Sequence, residues 1–133
     1  PVPSLMKIAV LEFDLFIHGS ASLKDKRRVV KSLKDRLHRE HMVSVAEVGL
    51  LEQHGVARLG LAAVGSDAKY LSGLIDRIVE KVRSMDEAEL GEVRREVFDP
   101  DARGWDERAD DGTPLWTPEE ARDPNEADPG RTE

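Results

Sequence analysis

The order in which two hydrophobic periodicities alternate between residues 6 and 98 constrains the fold of this chain more than any other feature. Alternation at period two predicts strands, and apolar residues at i, i+3, i+4 and i+7 predict amphipathic helices. The predicted elements are a strand over 6–17, a helix over 22–41, strands over 42–50 and 56–64, a helix that follows the N-cap at 67 and ends near 85, and a strand over 89–98. Such elements pack most simply as two layers. The order therefore predicts an α+β, ferredoxin-like βαββαβ two-layer sandwich, with both helices on one face of a four-stranded antiparallel sheet.

Charge divides the chain near residue 98. Residues 1–98 contain 16 Lys+Arg and 15 Asp+Glu, whereas residues 99–133 contain 4 and 12. The second segment is rich in proline, glycine and acidic residues and has no apolar periodicity, so it cannot bury enough apolar surface to offset its chain entropy. We therefore predict a ferredoxin-like domain over 1–98 and a disordered acidic tail over 99–133. Trp105 and Trp116 are apolar exceptions in the tail, which either dock on the domain or a partner or are simply scattered.

Composition argues against several classes of function. The chain has no cysteine, which excludes disulfides, thiol nucleophiles and cysteine metal sites. No apolar run reaches the roughly 18–20 residues that span a bilayer, so we expect a cytoplasmic protein without a membrane partner. His38 and His41 have no third ligand nearby in sequence, which disfavours a metal site. No nucleophile elbow or similar motif is present. We therefore predict no catalytic residue, no cofactor and no enzymatic activity.

The first predicted helix is strongly basic, because residues 22–40 contain eight Lys and Arg against three Asp and Glu. The cations that a helical wheel places opposite the apolar stripe are Lys24, Arg28, Lys31 and Arg39. Such a row is either a solvated face with salt bridges, for example between Lys31 and Asp35, or a surface that follows nucleic-acid phosphates. The candidate residues for binding nucleic acid or another anion are Lys24, Lys26, Arg27, Arg28 and Lys31.

Lys26 differs from its neighbours because its wheel position is close to the apolar stripe. Its side chain either runs along the helix margin to water or lies with Lys24 and Arg27 around the helix N-terminus, where backbone amides favour an anion. The second arrangement predicts a small-anion regulatory site. Ser22 and Asp25 match a capping box, which places the start of the helix at this point.

The sheet face away from the helices is predicted to mix charged and apolar side chains. The charged residues expected there are Glu12, Asp14, Glu47 and Arg58. We interpret them as cross-strand ion pairs rather than as an acid–base site. The apolar residues expected there are Ile8, Val10, Phe16, Val56, Ala62 and Val64. Because this face is so apolar, we expect it to be covered by a second subunit, by the tail or by a partner. Base stacking on the sheet is disfavoured because the third strand lacks aromatic residues and Phe13 and Phe16 point to opposite faces.

Four segments together resemble the YlxP-like bacterial family of domains of unknown function, namely MKIAVLEFDLFI, SLKDKRRVVKSLKDRL, VSVAEV and GVARLGLAAVGSD. The resemblance covers residues 6–98 and leaves out the acidic tail. It implies a ferredoxin-like fold and no established catalytic residue. Genes of this family typically stand beside those of transcription and translation factors, which implies cytoplasmic work connected with RNA or ribosomes by association alone. The family motif falls on residues 22–28, and the preceding loop IHGSA departs from the proline-containing form expected of the family.

Two functions of different classes follow from these patterns. The first is a non-enzymatic accessory factor that contacts RNA or a ribosomal particle through the basic helix. The second is a homodimeric or protein-interaction module that uses the open sheet face and binds no nucleic acid. Salt-sensitive RNA binding favours the first function, and self-association measured by light scattering favours the second.

Overall fold

The computed structural model describes residues 2–108 and 110–113. Its elements are β1 Lys7–Ile17, α1 Leu23–His41, β2 Ser44–Gly49, β3 Val56–Gly65, α2 Ala68–Arg83, β4 Ala88–Phe98 and a 3-10 helix Pro100–Arg103. The strands form one antiparallel sheet in the order β2-β3-β1-β4. Helix α1 packs on β2 and β3, and α2 packs on β1, β3 and β4. This arrangement confirms the predicted α+β, ferredoxin-like βαββαβ fold, with β4 at an edge.

Strand β1 shows how the sequence divides the sheet into two faces. Its side chains alternate in burial along the strand, and those facing the helices are fully buried. The buried row of β1 consists of Ala9, Leu11, Phe13, Leu15 and Ile17. Helix α1 buries its apolar stripe against β2 and β3, and α2 buries its stripe against β1, β3 and β4, so one core forms between the layers. Among the residues that the structure describes, Phe13 is the only aromatic member of that buried cluster, and the others are aliphatic, in keeping with the low aromatic content of the chain.

Helix α1 begins and ends at residues that satisfy its free backbone groups. The Ser22 hydroxyl accepts a hydrogen bond from the Asp25 amide at 3.1 Å, and the Asp25 carboxylate accepts one from the Ala21 amide at 3.0 Å. The predicted capping box is therefore present, with its return bond made one residue earlier than usual. At the other end, Met42 has a φ of 55° and caps the helix. Because a left-handed residue cannot belong to a strand, β2 begins at Ser44 rather than at the predicted residue 42.

The chain divides into two compact units, Pro1–Ala102 and Arg103–Glu133. In the second unit, the Arg108 guanidinium lies 3.1 Å from the Asp106 carboxylate and Trp105 is half exposed. Trp116 lies outside the described residues, as does the whole of 114–133. The disordered acidic tail over 99–133 and the domain boundary at 98 therefore stay predictions. No helix in the described part of the chain is long and apolar enough to cross a membrane.

Candidate nucleic-acid interface

Helix α1 packs on the sheet through one face and carries cations on the other. Val30, Leu33, Leu37 and Lys26 are buried on the packed face. The remaining cations of the helix, which are exposed or half-buried, are Lys24, Arg27, Arg28, Lys31, Lys34, Arg36 and Arg39. We call these seven residues the α1 basic face. The helix therefore presents most of its positive charge away from the core, as the wheel predicts.

The α1 basic face is long and accessible. Lys24 and Arg39 mark its ends, about 22 Å apart along the helix axis. The Arg28 and Lys31 side chains are 77% and 78% exposed. A shallow groove of about 450 Å³ runs along this side of the helix, lined by Arg28, Lys31, Ser32, Asp35, Arg36 and Arg39. An extended anionic ligand can therefore contact several of these cations at once.

Ion pairing within the α1 basic face is sparse. The Lys31 ammonium lies 2.8 Å from the Asp35 carboxylate, and this hydrogen bond lowers the pKa of Asp35 and raises the pKa of Lys31. Arg28 lies 3.9 Å from Asp25, a weaker contact. Within the described residues, no ion pair is made by the remaining five cations, which are Lys24, Arg27, Lys34, Arg36 and Arg39. Their charge is therefore not neutralised by a direct partner in the domain.

Lys26 does not belong to the exposed surface, contrary to the prediction that grouped it with its neighbours. Only 1% of its side chain is exposed. Its ammonium lies 2.7 Å from a Glu47 carboxylate oxygen and donates hydrogen bonds to the carbonyls of Leu50 at 2.9 Å and Val56 at 3.3 Å. A buried ammonium needs such partners because it has lost its water. Lys26 therefore holds α1 to the segment that joins β2 and β3.

Glu47 also lies elsewhere than predicted. It pairs with Leu59 of β3, a core residue, so its side chain points to the helices and not to the open face of the sheet. The sequence contains a signal for this placement, because Val43, Val45 and Glu47 share one parity of the strand. Two valines mark that row as the core side. The acid is half-buried there, with the Lys26 ammonium beside its carboxylate.

Backbone amides at the N-terminus of α1 that could bind an anion are already hydrogen-bonded to side chains of the same segment. The Ala21 amide already donates to Asp25, and the Asp25 amide donates to Ser22. The bond from Ala21 is the largest cause of the lowered pKa of Asp25, so this carboxylate stays negative. A bound phosphate would meet that charge directly. The small-anion site predicted around Lys24, Lys26 and Arg27 therefore lacks two of its donors, because the Asp25 amide and the Lys26 ammonium are already bonded within the domain.

The open face of the sheet contains a compact ion-pair network. Arg58 lies 2.7 Å from Asp14 and 3.8 Å from Glu12, and Arg94 of β4 lies 2.9 Å from Glu12. The hydrogen bond from Arg58 holds the pKa of Asp14 below its ordinary value. Asp14 is thus stabilised as an anion, the opposite of what a general acid requires. Arg94, which the sequence patterns do not single out, completes the network.

Apolar side chains lie beside this network on the same face. They surround a shallow groove of about 580 Å³, whose apolar lining includes Val10, Ala46, Val48, Gly60 and Ala62. Val48 and Val64 are 52% and 66% exposed. Phe13 is buried and Phe16 is 44% exposed at the far end of β1. Phe98, which pairs with Ile8 at the other end of β1, is half-buried on the same face. Because the two phenylalanines lie at opposite ends of the strand, they form no continuous platform for stacking bases.

The two histidines of α1 have separate surroundings. His38 Nδ1 lies 3.1 Å from the carbonyl of Val43. His41 Nε2 is buried without a hydrogen-bond partner, and burial, together with the charge of Arg77, lowers the pKa of His41. In the described parts of the chain, no group of three or more histidine or acidic side chains is arranged to hold a metal ion.

Comparison with known proteins agrees with the sequence motifs. Residues 8–95 match the family described as "Protein of unknown function (DUF503)". The chain belongs to this family. A relative, the "Uncharacterized protein YlxP" of Bacillus subtilis (strain 168), is 30% identical over 91 residues, which cover 68% of this chain and 99% of the relative. The resemblance to the YlxP-like family is therefore confirmed. The solved structure of "De novo designed protein Foldit4" is also similar, and the match covers 67% of this chain and 96% of the designed chain, with 20% identity and a TM-score of 0.43. This similarity carries no functional information.

Proposed function

We propose that this DUF503-family domain is a non-enzymatic accessory factor that binds RNA, free or within a ribosomal particle, through the α1 basic face. The observation that carries the proposal is the set of five cations on this face that have no ion-pair partner in the described residues. Phosphate contacts by Lys and Arg supply most of the sequence-independent affinity of proteins for nucleic acids. Cations without an internal partner keep this interaction available.

The burial of Lys26 supports the same assignment. Its charge is neutralised by Glu47 inside the domain, so the Lys26 ammonium is not available to a ligand. The other basic side chains of α1 therefore point outward from a helix that Lys26 and the apolar stripe hold in place. A rigid element presents charged groups to a ligand with little loss of conformational freedom on binding.

Charge reversal on α1 tests the proposal. The variant carries Lys24→Glu, Arg27→Glu, Arg28→Glu and Lys31→Glu, and it leaves the buried Lys26 unchanged so that the domain still folds. Fluorescence anisotropy with a labelled RNA hairpin, at about 50 and about 200 mM salt, should show affinity about a hundredfold or more weaker and a shallower salt dependence.

The control variant reverses two exposed cations outside α1, Lys69→Glu on α2 and Arg94→Glu on β4. It should retain most of the wild-type affinity, because neither residue belongs to the α1 basic face. Circular dichroism confirms that both variants are folded. Wild-type affinity in the α1 variant, or an equal loss in the control, contradicts the proposal.

A second candidate function is homodimerisation through the open sheet face. We propose it because exposed Val48 and Val64 lie on this face, while the nearby arginines are already paired with Glu12 and Asp14. Association with a second copy would bury this apolar surface without burying an unpaired charge. Light scattering should then report a dimer for the wild type and a monomer for Val48→Glu. A wild-type monomer at every concentration contradicts this function.

A further inference from the structure

We infer that the free edge of β2 binds an extended peptide segment of another protein, in which acidic residues alternate with apolar ones. The segment adds to the four-stranded sheet as a further strand, beside helix α1. This binding goes beyond the proposed function, because it requires a protein partner and no RNA. It follows from the backbone groups, the side chains and the charges at that edge.

The two edge strands of the sheet differ in charge. The charged residues of β4 are Glu89, Glu92, Arg94, Arg95 and Glu96. Strand β2 has Glu47 alone, and its carboxylate is bonded to Lys26. Charged side chains on an edge strand hinder pairing with another chain. The edge of β4 is therefore protected in this way, whereas the edge of β2 is open to a further strand.

The strand register determines which backbone groups of β2 point to this edge. The Ile17 amide donates to the Gly55 carbonyl at 2.9 Å, so the odd-numbered residues of β1 hydrogen-bond to odd-numbered residues of β3. The even-numbered residues of β3 therefore bond to β2, where their partners are Ser44 and Ala46. The N–H and C=O groups of Val45, between these two residues, consequently point outward. An added strand can hydrogen-bond to them.

Cations of α1 flank this edge of β2. They form one wall of a groove of about 390 Å³, whose lining includes Lys34, Asp35 and His38 of α1 together with Met42 and Val45. Arg27 lies two turns before Lys34 on the same side of the helix. Neither of these cations has an ion-pair partner among the described residues, and the Asp35 carboxylate is bonded to Lys31. An added strand therefore meets net positive charge on the side that faces the helix.

The other side of the added strand meets an apolar surface. Ala46 and Val48 of β2 face the open side of the sheet, and Val48 is 52% exposed. Side chains alternate between the two sides of a strand, so acidic residues at every second position, with apolar residues between them, match both surfaces. In recognition of this kind, backbone hydrogen bonds supply affinity and the alternate side chains supply specificity.

A second copy of this chain fits the same edge poorly. Antiparallel pairing of two β2 strands would make one continuous sheet and place the two α1 helices side by side on the same layer. Arg27, Lys34 and His38 of each copy would then face the same residues of the other copy, and the like charges would repel. The charge at this edge therefore favours an acidic partner.

The test uses the full chain and a capped peptide of about eight residues that alternates glutamate and valine. The peptide should bind, and at saturation the hydrogen exchange of the Val45 amide, measured by NMR, should slow about tenfold or more. The Ala46 amide, which already bonds to β3, should change little. A peptide with lysine in place of every glutamate should not bind. When the backbone nitrogens of either the glutamates or the valines are methylated, one of the two peptides should lose binding and the other should keep it.

A pair of variants on α1 tests the role of charge. Lys34→Gln, which removes a cation from the groove, should weaken binding of the glutamate peptide about fivefold or more. The matched control is Arg36→Gln, because Arg36 is also half-buried and has no ion-pair partner among the described residues. Arg36 lies about 200° around the helix from Lys34, so this variant should keep the wild-type affinity for the peptide.

Peptide binding and RNA binding are measured on the same preparation, so the two proposals fail separately. Absence of peptide binding overturns the β2 edge site and leaves the proposed function standing. Unchanged exchange at Val45, tolerance of both methylated peptides, or an equal loss in the two α1 variants also overturns it. Protection of Val45 that rises with protein concentration in the absence of peptide would assign the edge to a second copy instead. Absence of RNA binding overturns the proposed function alone.

Discussion

The α1 basic face and the open face of the sheet both present arginines, but they neutralise them differently. On the sheet, Arg58 and Arg94 contact Asp14 and Glu12 at distances of 2.7 to 3.8 Å. On α1, five cations have no ion-pair partner among the described residues. The first arrangement lets the sheet carry charge within a largely apolar surface. The second leaves positive charge available to an outside anion.

This difference shows that the number of basic residues does not identify a binding surface. The decisive property is whether each cation already has an anion within the domain, because a paired cation gains less from a phosphate. Lys26 is the extreme case. It belongs to the basic helix by sequence and to the core by structure. The following predictions test the comparison, from the largest expected effect to the smallest.

Replacement of Lys26 should have the largest effect on stability. Lys26→Met leaves the half-buried Glu47 without its partner, which should cost about 3–5 kcal/mol of unfolding free energy in urea titrations. Lys24→Met, on the exposed face, should change stability by less than about 0.5 kcal/mol. The double variant Lys26→Met, Glu47→Leu should recover most of the loss. Equal stability of the two single variants would show that Lys26 is not a core residue.

Gly91→Ala tests how tightly the open face is packed. A Cβ atom at this position would lie 2.7 Å from the Phe16 ring and 3.3 Å from the Asp14 carbonyl oxygen. Displacing these atoms should cost about 1–3 kcal/mol. The control is Gly55→Ala, where a Cβ atom meets nothing within 4 Å. Thermal or urea unfolding distinguishes the two variants, and a Gly91→Ala protein as stable as the control contradicts the packing argument.

Replacing one arginine on each face with methionine compares the two regions directly. Arg58→Met should lower the unfolding free energy and leave RNA affinity unchanged, whereas Arg28→Met should weaken RNA binding severalfold with little loss of stability. The pKa of Asp14 is lowered from its ordinary value of 3.8 by Arg58. The stabilisation is therefore present above this pH and is lost as the pH falls below it. The stability difference between wild type and Arg58→Met should shrink in acid.

The smallest expected effect is a pH dependence at the end of α1 that faces α2. Burial and Arg77 lower the pKa of His41 from its ordinary value of 6.5, so the folded domain favours neutral His41. Its contribution to stability is complete above pH 6.5 and is lost as the pH falls through the lowered value. His41→Gln should flatten this part of the stability curve. Arg77→Gln should reduce it partly, and an unaltered curve in both variants contradicts the assignment.

Periodicity alone was sufficient for the fold. The alternation along β1 and the stripes of the two helices predicted two layers with one core between them, and the structure has this arrangement. Ser22 and Asp25 likewise predicted the start of α1, because capping is a local interaction. The predicted start of β2 was wrong by two residues, because the sequence gives no clear signal for the left-handed conformation of Met42.

The sequence by itself determined the core of this domain, the basic character of α1 and the outward position of most of its cations, because these depend on spacing along one element. Only the tertiary structure decided which charges meet. Lys26 and Glu47 are 21 positions apart, and Arg94 and Glu12 lie on strands far apart in the chain. Ion pairs depend on distances of a few ångströms across the fold, and strand register and helix packing set these distances. The tertiary structure therefore removed Lys26 from the candidate site and left the other cations of α1 facing outward.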